Sequence, residues 1–303
     1  MGTRVAGPVA AALAAGAPVV ALESTIISHG LPRPRNLRAA RSFEAQLTGV
    51  GVTPATIALI DGEVCIGLSD EQLVRIASDD DVVKVSVRDL PVALATHSSG
   101  ATTVAATSYL AARAGIRVFA TGGLGGVHRL ASRTFDESAD LPTLAVTPIT
   151  VVSAGVKSIL DVAATLERME TLGITVLGYG TRSFPSFWVS DSGYKLDWSV
   201  PDAATVARVM AAGDELGLPG AIVVANPVPV QQQLDPELHD VALARALAAA
   251  DEQGLRGKQV SPYLLASMVE QTGGRSLEVN LDIAANNVRV AGQIARAWTA
   301  LPR

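Results

Sequence analysis

The sequence has a single cysteine, few aromatic side chains, no excess of positive charge and no long uninterrupted apolar run. Each scarcity removes a class of protein. One cysteine, Cys65, among 303 residues forms no internal disulfide and builds no Cys-based zinc site, so a reducing cytoplasmic setting is the simplest expectation. With 24 Lys and Arg against 29 Asp and Glu, the formal net charge is −5. The chain therefore lacks the basic stripe of proteins that bind a nucleic-acid backbone, and no nucleic acid is expected as partner. The stretch that imitates a targeting signal, residues 5–22, is mostly small and is broken by Pro8 and Pro18. It reads as a short helix leading into a buried strand, with no membrane expected.

What is present is 49 % hydrophobic residues and 27 glycines in a chain long enough to bury most of the surface its unfolded form exposes. Short apolar runs at 19–23, 55–60, 117–120, 150–153, 175–178 and 221–225 alternate with helical patterns at 36–47, 101–114, 157–172, 202–216, 236–252, 262–271 and 277–298. That alternation predicts an α/β fold with α/β/α layering, helices covering a central, largely parallel sheet. Asp61-Gly62 between two apolar runs predicts a tight hairpin, so the sheet is expected to be mixed. No repeat, low-complexity linker or charge block divides the chain, and residues 1–303 read as one domain.

Polar stretches interrupt this scaffold where apolar runs end, the place where open α/β sheets gather ligand sites. In Glu23-Ser24-Thr25-Ile26-Ile27-Ser28-His29-Gly30 an acid closes a strand and hydroxyls follow; the plain alternative is a solvated carboxylate beside a capped turn. Lys84-Val85-Ser86-Val87-Arg88-Asp89 alternates like a half-exposed strand. Thr121-Gly122-Gly123-Leu124-Gly125-Gly126-Val127-His128-Arg129 lets backbone approach a ligand and turn N–H groups toward an anion, yet it is neither a dinucleotide fingerprint nor a Walker loop. Phe135-Asp136-Glu137-Ser138-Ala139-Asp140 places three carboxylates in five positions. Such an oxygen-only set suits Mg²⁺ or Mn²⁺, or else the acids complement a helix starting at Ser138.

In Ser153-Ala154-Gly155-Val156-Lys157-Ser158-Ile159-Leu160-Asp161 the lysine is expected in the first turn of a helix. There the positive end of the helix dipole repels a cation, and the apolar neighbours desolvate it. Both effects favour the neutral amine, the form that attacks a carbonyl or anomeric carbon; an ordinary pair with Asp161 is the plain alternative. Asn280, Asn286 and Asn287 are unusual choices within the last long helix and fit helix-to-helix hydrogen bonds or a ligand.

Taken together, residues 21–30, 100–107, 121–129, 135–141 and 154–161 closely resemble the pseudouridine-5′-phosphate glycosidase family, also called indigoidine synthase A-like. Gly-Tyr-Gly-Thr at 178–181, Ala-Asn-Pro-Val-Pro at 225–229 and Gly-Gly-Arg-Ser-Leu-Glu-Val-Asn at 273–280 extend the resemblance over nearly the whole chain. It implies an enzyme of nucleoside catabolism that reversibly cleaves the C–C glycosidic bond of pseudouridine 5′-phosphate to uracil and ribose 5-phosphate. A lysine Schiff base, one divalent metal per subunit, usually Mn²⁺, and a homotrimer are part of what it implies. By position Lys157 matches the family's nucleophile, Glu23 its proton donor and Asp136 its metal ligand. Lys84, Val104, Ser138, Ala139 and Asp140 match substrate-binding positions, and Thr121, His128 and Asn280 match other pocket residues. Glu137 stands where the family usually has an aliphatic residue. With aromatics at 4 %, the base is expected to be held by polar groups and backbone rather than by stacked rings. Two other readings of these residues stay open: another Schiff-base lyase, such as an aldolase acting on a phosphorylated sugar, and a noncatalytic phosphate-binding module built on the glycine loop.

Overall fold

A computed structural model describes residues 2–255 and 260–302; residues 1, 256–259 and 303 of the expected 1–303 domain lie outside the described residues. Among the described residues eleven strands form one sheet: β1 (Thr3–Val5), β2 (Val19–Leu22), β3 (Thr53–Ile60), β4 (Glu63–Ile66), β5 (Val83–Val85), β6 (Gly100–Thr102), β7 (Val118–Ala120), β8 (Thr150–Ser153), β9 (Thr175–Tyr179), β10 (Ser199–Val200) and β11 (Ile222–Ala225). The helices are α1 (Gly7–Ala14), α2 (Arg35–Thr48), α3 (Asp70–Ser78), α4 (Leu90–Ala95), α5 (Val104–Arg113), α6 (Ala131–Thr134), α7 (Asp140–Leu144), α8 (Val162–Thr171), α9 (Ala203–Glu215), α10 (Pro236–Glu252), α11 (Val260–Gln271) and α12 (Arg275–Thr299).

The strand order is β1-β4-β3-β2-β7-β8-β11-β9-β10, with β5 and β6 branching from β3. Every pair from β3 to β10 along this path is parallel, whereas β4 and β6 pair with β3 antiparallel, so the sheet is mixed as expected. Asp61 (φ 49°) and Gly62 (φ 75°) make the turn between β3 and β4. Val20 and Leu22 of β2 join the apolar cluster of α2 and α12, while Val19 and Ala21 join that of α1 and α5. Successive strand residues point to opposite faces, and helices on both faces account for a strand that is apolar throughout. One face is closed by α12, which runs against α2, α9, β2, β7 and β8. From β2 the chain proceeds to β3 on one side and later to β7 and β8 on the other, so the order reverses between β2 and β7. A crevice forms at the carboxyl ends of the strands at such a reversal.

The expected helix over 157–172 is corrected. The Asp161 side chain accepts the Ala164 N–H (3.0 Å) and caps α8, which starts at Val162, so Lys157 stands in the loop after β8 rather than in a first helical turn. The apolar neighbours Val156, Ile159 and Leu160 are buried. The expected helix over 101–114 begins at Val104, because Thr103 caps it and residues 100–102 pair with β3 and β5. Of residues 84–89, only Lys84 and Val85 lie in a strand; Val87–Asp89 turn as a short 3₁₀ segment. Among the described residues no helix is long and apolar enough to cross a membrane.

Candidate active site

A cavity of about 280 Å³ opens where the loops leaving β2, β7 and β8 meet the start of α12. Its lining divides by chemistry into ionisable groups (Glu23, His29, Lys84, Lys157), apolar groups (Ile26, Phe187, Pro262, Leu265) and polar atoms from Thr25, Asn280 and the Gly122-Gly123 backbone.

Glu23 follows β2 directly, and the hydroxyls after it bolt this strand end to its neighbours. Ser24 Oγ donates to Ile57 O (2.6 Å) and accepts the Thr102 N–H (2.8 Å), and Thr25 Oγ1 donates to Thr102 O (2.8 Å). Thr121, just past β7, donates its hydroxyl to Glu23 Oε1. Behind them Asn287, a buried side chain of α12, donates to Thr121 O (2.7 Å) and Gly122 O (3.2 Å) and accepts from Asn226 Nδ2 (2.9 Å). Burial pushes the Glu23 carboxyl above the usual carboxylate range, with the Asp140 charge adding to it; Lys157, the Thr121 hydrogen bond and Lys84 oppose but do not cancel the shift. Burial also lowers His128, with Lys157 and Lys84 adding and Asp136 opposing, so the neutral imidazole is favoured there. His29 is lowered by burial and then by Lys84.

The lysine loop and the glycine loop are zipped together. Leu124 N donates to Gly155 O (2.9 Å), Lys157 N to Leu124 O (3.2 Å) and Asp161 N to Val127 O (2.9 Å). Gly155 sits at φ 73°, and a Cβ on it would come within 2.4 Å of Pro185 O, so the loop can carry Lys157 along this path only with glycine there.

The carboxylates of residues 136–140 diverge rather than cluster. Asp136 lies 3.8 Å from His128 Nδ1, Glu137 pairs with Arg168 (2.9 Å), and the buried Asp140 accepts the N–H groups of Ala105 (2.9 Å) and Gly125 (2.8 Å). Among the described residues no group of three or more His, Cys, Asp or Glu side chains is placed to hold a metal, so the expected oxygen-rich cluster does not form. A single, partly exposed carboxylate at Asp136 still fits a hard divalent cation that keeps most of its water. Asp140 clamps the glycine loop to the start of α5. Replacing it by alanine leaves two N–H groups without an acceptor and is expected to lower stability by about 2–4 kcal/mol, measured by urea denaturation.

Of the residues expected at the site, Glu23, Lys84, Lys157 and Asn280 line the cavity together. Thr121 stands behind Glu23 through its hydrogen bond, and His128 feels both lysines. Val104, Ser138, Ala139, Asp140 and Asp136 do not line it; residues 138–140 and the start of α5 form a shelf that the Asp140 clamp holds to the glycine loop, and Asp136 stands beside His128. The ring of Phe187 joins the polar groups and backbone in the cavity lining. This residue adopts φ 58°, donates its N–H to Ala154 O (3.0 Å) and packs so closely on Gly123 that a Cβ there would lie 2.6 Å from the ring. Its ring meets Trp188 edge-on at 5.0 Å between centroids. His29 belongs to the polar stretch of residues 23–30, whereas Phe187 carries no local sequence signal of a site. The Asn226–Asn287 pair does carry one, an amide facing an apolar helix surface.

The family model described as indigoidine synthase A like protein matches residues 8–297. Curated relatives named pseudouridine-5′-phosphate glycosidase include one from Frankia alni, 64 % identical over 292 residues that cover 96 % of this chain and 81 % of that one. Another, from Saccharopolyspora erythraea, is 59 % identical and covers 94 % of each chain. Among solved structures the chain is similar to the prealnumycin C-glycosynthase AlnA in complex with ribulose 5-phosphate, with TM-score 0.92, 38 % identity and coverage of 99 % and 98 % of the two chains. It is also similar to an indigoidine synthase A-like protein from Thermotoga maritima, with TM-score 0.87, 35 % identity and coverage of 97 % and 94 %. The matched residues 8–297 include every residue lining the cavity, and the chain belongs to the indigoidine synthase A-like family.

Proposed function

We propose that this protein is an enzyme that reversibly cleaves the C–C glycosidic bond of pseudouridine 5′-phosphate to uracil and ribose 5-phosphate, with Lys157 as nucleophile and Glu23 as proton donor. The observation that carries this reading is the pairing, in one cavity, of a lysine with a carboxyl that burial keeps protonated beyond its usual range. The names of relatives up to 64 % identical support the substrate. A glycosidase that protonates an oxygen leaving group uses two facing carboxylates. Among the described residues lining this cavity Glu23 is the one carboxylate, and both oxygens of Asp140 are already bound by N–H groups.

The leaving atom of this substrate is a ring carbon, C5 of uracil, which needs an electron source at C1′. The lone pair of the Lys157 nitrogen forms a bond to C1′ as the C1′–O4′ bond breaks, and O4′ takes the proton of Glu23. Glu23 then recovers a proton from the new C1′-bound nitrogen and delivers it to C5. As the C1′–C5 bond breaks, the nitrogen lone pair forms the C1′=N bond, uracil leaves, and water releases ribose 5-phosphate. In the reverse direction the same imine is the electrophile that C5 attacks.

Lys84, His128, Thr121 and Asn280, with Val104 and residues 138–140 of the shelf, are the groups assigned to the ribose 5-phosphate and to ordering the site. The charged lining suits the phosphate, and the apolar group around Phe187 suits the base. Asp136 would hold a divalent cation, Mn²⁺, which supplies positive charge near the phosphate end when bound. A cytoplasmic homotrimer belongs to the same reading on the strength of the resemblance alone. The test is to incubate the purified protein with pseudouridine 5′-phosphate and Mn²⁺ and follow uracil by chromatography. Release of uracil, and its consumption when ribose 5-phosphate is supplied, is expected; no uracil in either direction would overturn the proposal.

A further inference from the structure

On the reading of Lys157 as the nucleophile, we infer that His239, acting through Ser158, is a positioning residue that sets where the lysine side chain enters the cavity. His239 lies in the first turns of α10, a helix that supplies no residue to the cavity lining, and it is only 4 % exposed. Its Nε2 is 2.8 Å from Oγ of Ser158, the residue next to Lys157 and 1 % exposed. Its Nδ1 lies 2.9 Å from Asp240 Oδ1. With Asp240 at Nδ1 and the Ser158 hydroxyl at Nε2, both ring nitrogens of His239 have a hydrogen-bond partner. A buried polar pair is retained only when both members are satisfied, and here each has its partner.

The geometry gives the pair a task. On its inner side the lysine loop is tied to the glycine loop by backbone bonds at Gly155, Lys157 and Asp161. On its outer side the Ser158 residue is tied by two side chains, Arg129 Nη2 donating to Ser158 O (3.2 Å) and His239 at Ser158 Oγ. Backbone bonds on one side and the serine anchor on the other fix the chain direction through Lys157. Ser158 and His239 line a separate hollow of about 680 Å³ that Lys157 does not line. His239 therefore acts through the loop and not on the substrate. Misplacement of a reacting group by about 1 Å costs on the order of a hundredfold in rate.

The test uses the full chain with His239→Phe, Ser158→Ala, their double variant and His239→Gln, whose side-chain amide reaches the place of Nε2 and can either donate to or accept from Ser158 Oγ. His239→Phe and Ser158→Ala are expected to lower kcat for pseudouridine 5′-phosphate roughly tenfold to a hundredfold, with KM within about twofold. The double variant is expected to lose no more than either single one, and His239→Gln to recover most of the loss. The rate at which borohydride traps ribose 5-phosphate on Lys157 is expected to fall by the same factor as kcat. Wild-type kcat and trapping rate in His239→Phe would overturn the inference while leaving the lysine reading intact. So would equal losses in His239→Gln and His239→Phe that follow their melting temperatures. Absence of any adduct on Lys157 in the turning-over wild type would overturn the lysine reading, and this inference with it.

Discussion

Lys157→Ala is expected to lose turnover of pseudouridine 5′-phosphate by a factor of about 10⁴ or more, the scale on which removal of a covalent nucleophile is felt. Among the described residues lining the cavity the other amine is Lys84, carried on β5 rather than on the loop after β8, and the His29 imidazole cannot form an imine. Addition of borohydride during turnover is expected to leave wild-type protein heavier by a reduced ribose 5-phosphate, with the mass located on the peptide bearing Lys157. The alanine variant is expected to show no adduct while keeping affinity for the phosphorylated sugar, which Lys84 and the shelf still hold. An adduct found on Lys84, or alanine protein that turns over at the wild-type rate, would show that the nucleophile has been assigned to the wrong residue. Intact binding together with no turnover by wild-type protein would instead favour a phosphate-binding module.

Glu23→Gln is expected to reduce kcat by about 10²–10⁴ with little change in KM, because a proton donor acts in the transition state more than in binding. The same change is expected to raise the melting temperature at neutral pH. Burial raises the Glu23 carboxyl above its value in the unfolded chain. Well below the unfolded value both states hold the proton and the group is neutral in its effect. As pH rises from there, the unfolded state releases its proton while the folded state keeps it. Stability contributed by the protonated carboxyl is therefore lost progressively until pH has passed the raised folded value. Glutamine keeps the neutral form and can still accept the Thr121 hydroxyl, so it escapes that loss. Thermal melts of the two proteins are expected to converge in acid and separate toward neutral pH, with the glutamine variant the more stable. Wild-type activity is expected to decline as pH rises through the elevated Glu23 value, since the acid form is the donor. A glutamine variant less stable than wild type at neutral pH would mean that Glu23 is held there as a favourable carboxylate, against the direction argued here.

Local chemistry was legible in the sequence wherever a few neighbouring residues decide the outcome. The apolar run at 150–153 is β8, the pattern at 236–252 is α10, and Asp61-Gly62 is the turn between β3 and β4, because side-chain period and turn conformation are set within one segment. Glu23, Lys84, Lys157 and Asn280 were recognisable as polar residues at strand or helix ends, and they do share one cavity. Where a helix begins was less legible, since the Asp161 cap, and not the apolar period, starts α8 and leaves Lys157 in a loop. Tertiary structure alone decided three further matters. The carboxylates of 136–140 point to three different partners because each answers a donor from a distant part of the chain: His128, Arg168, or the N–H groups of Ala105 and Gly125. Phe187 reaches the cavity because its loop folds back onto Gly123 and Ala154. His239 meets Ser158 across 81 residues of sequence only because α10 packs beside the loop after β8. Identity and spacing along the chain determined which groups this protein has for its chemistry. The parallel order of β2, β7, β8 and β11, which no local pattern encodes, decided which of them face one another.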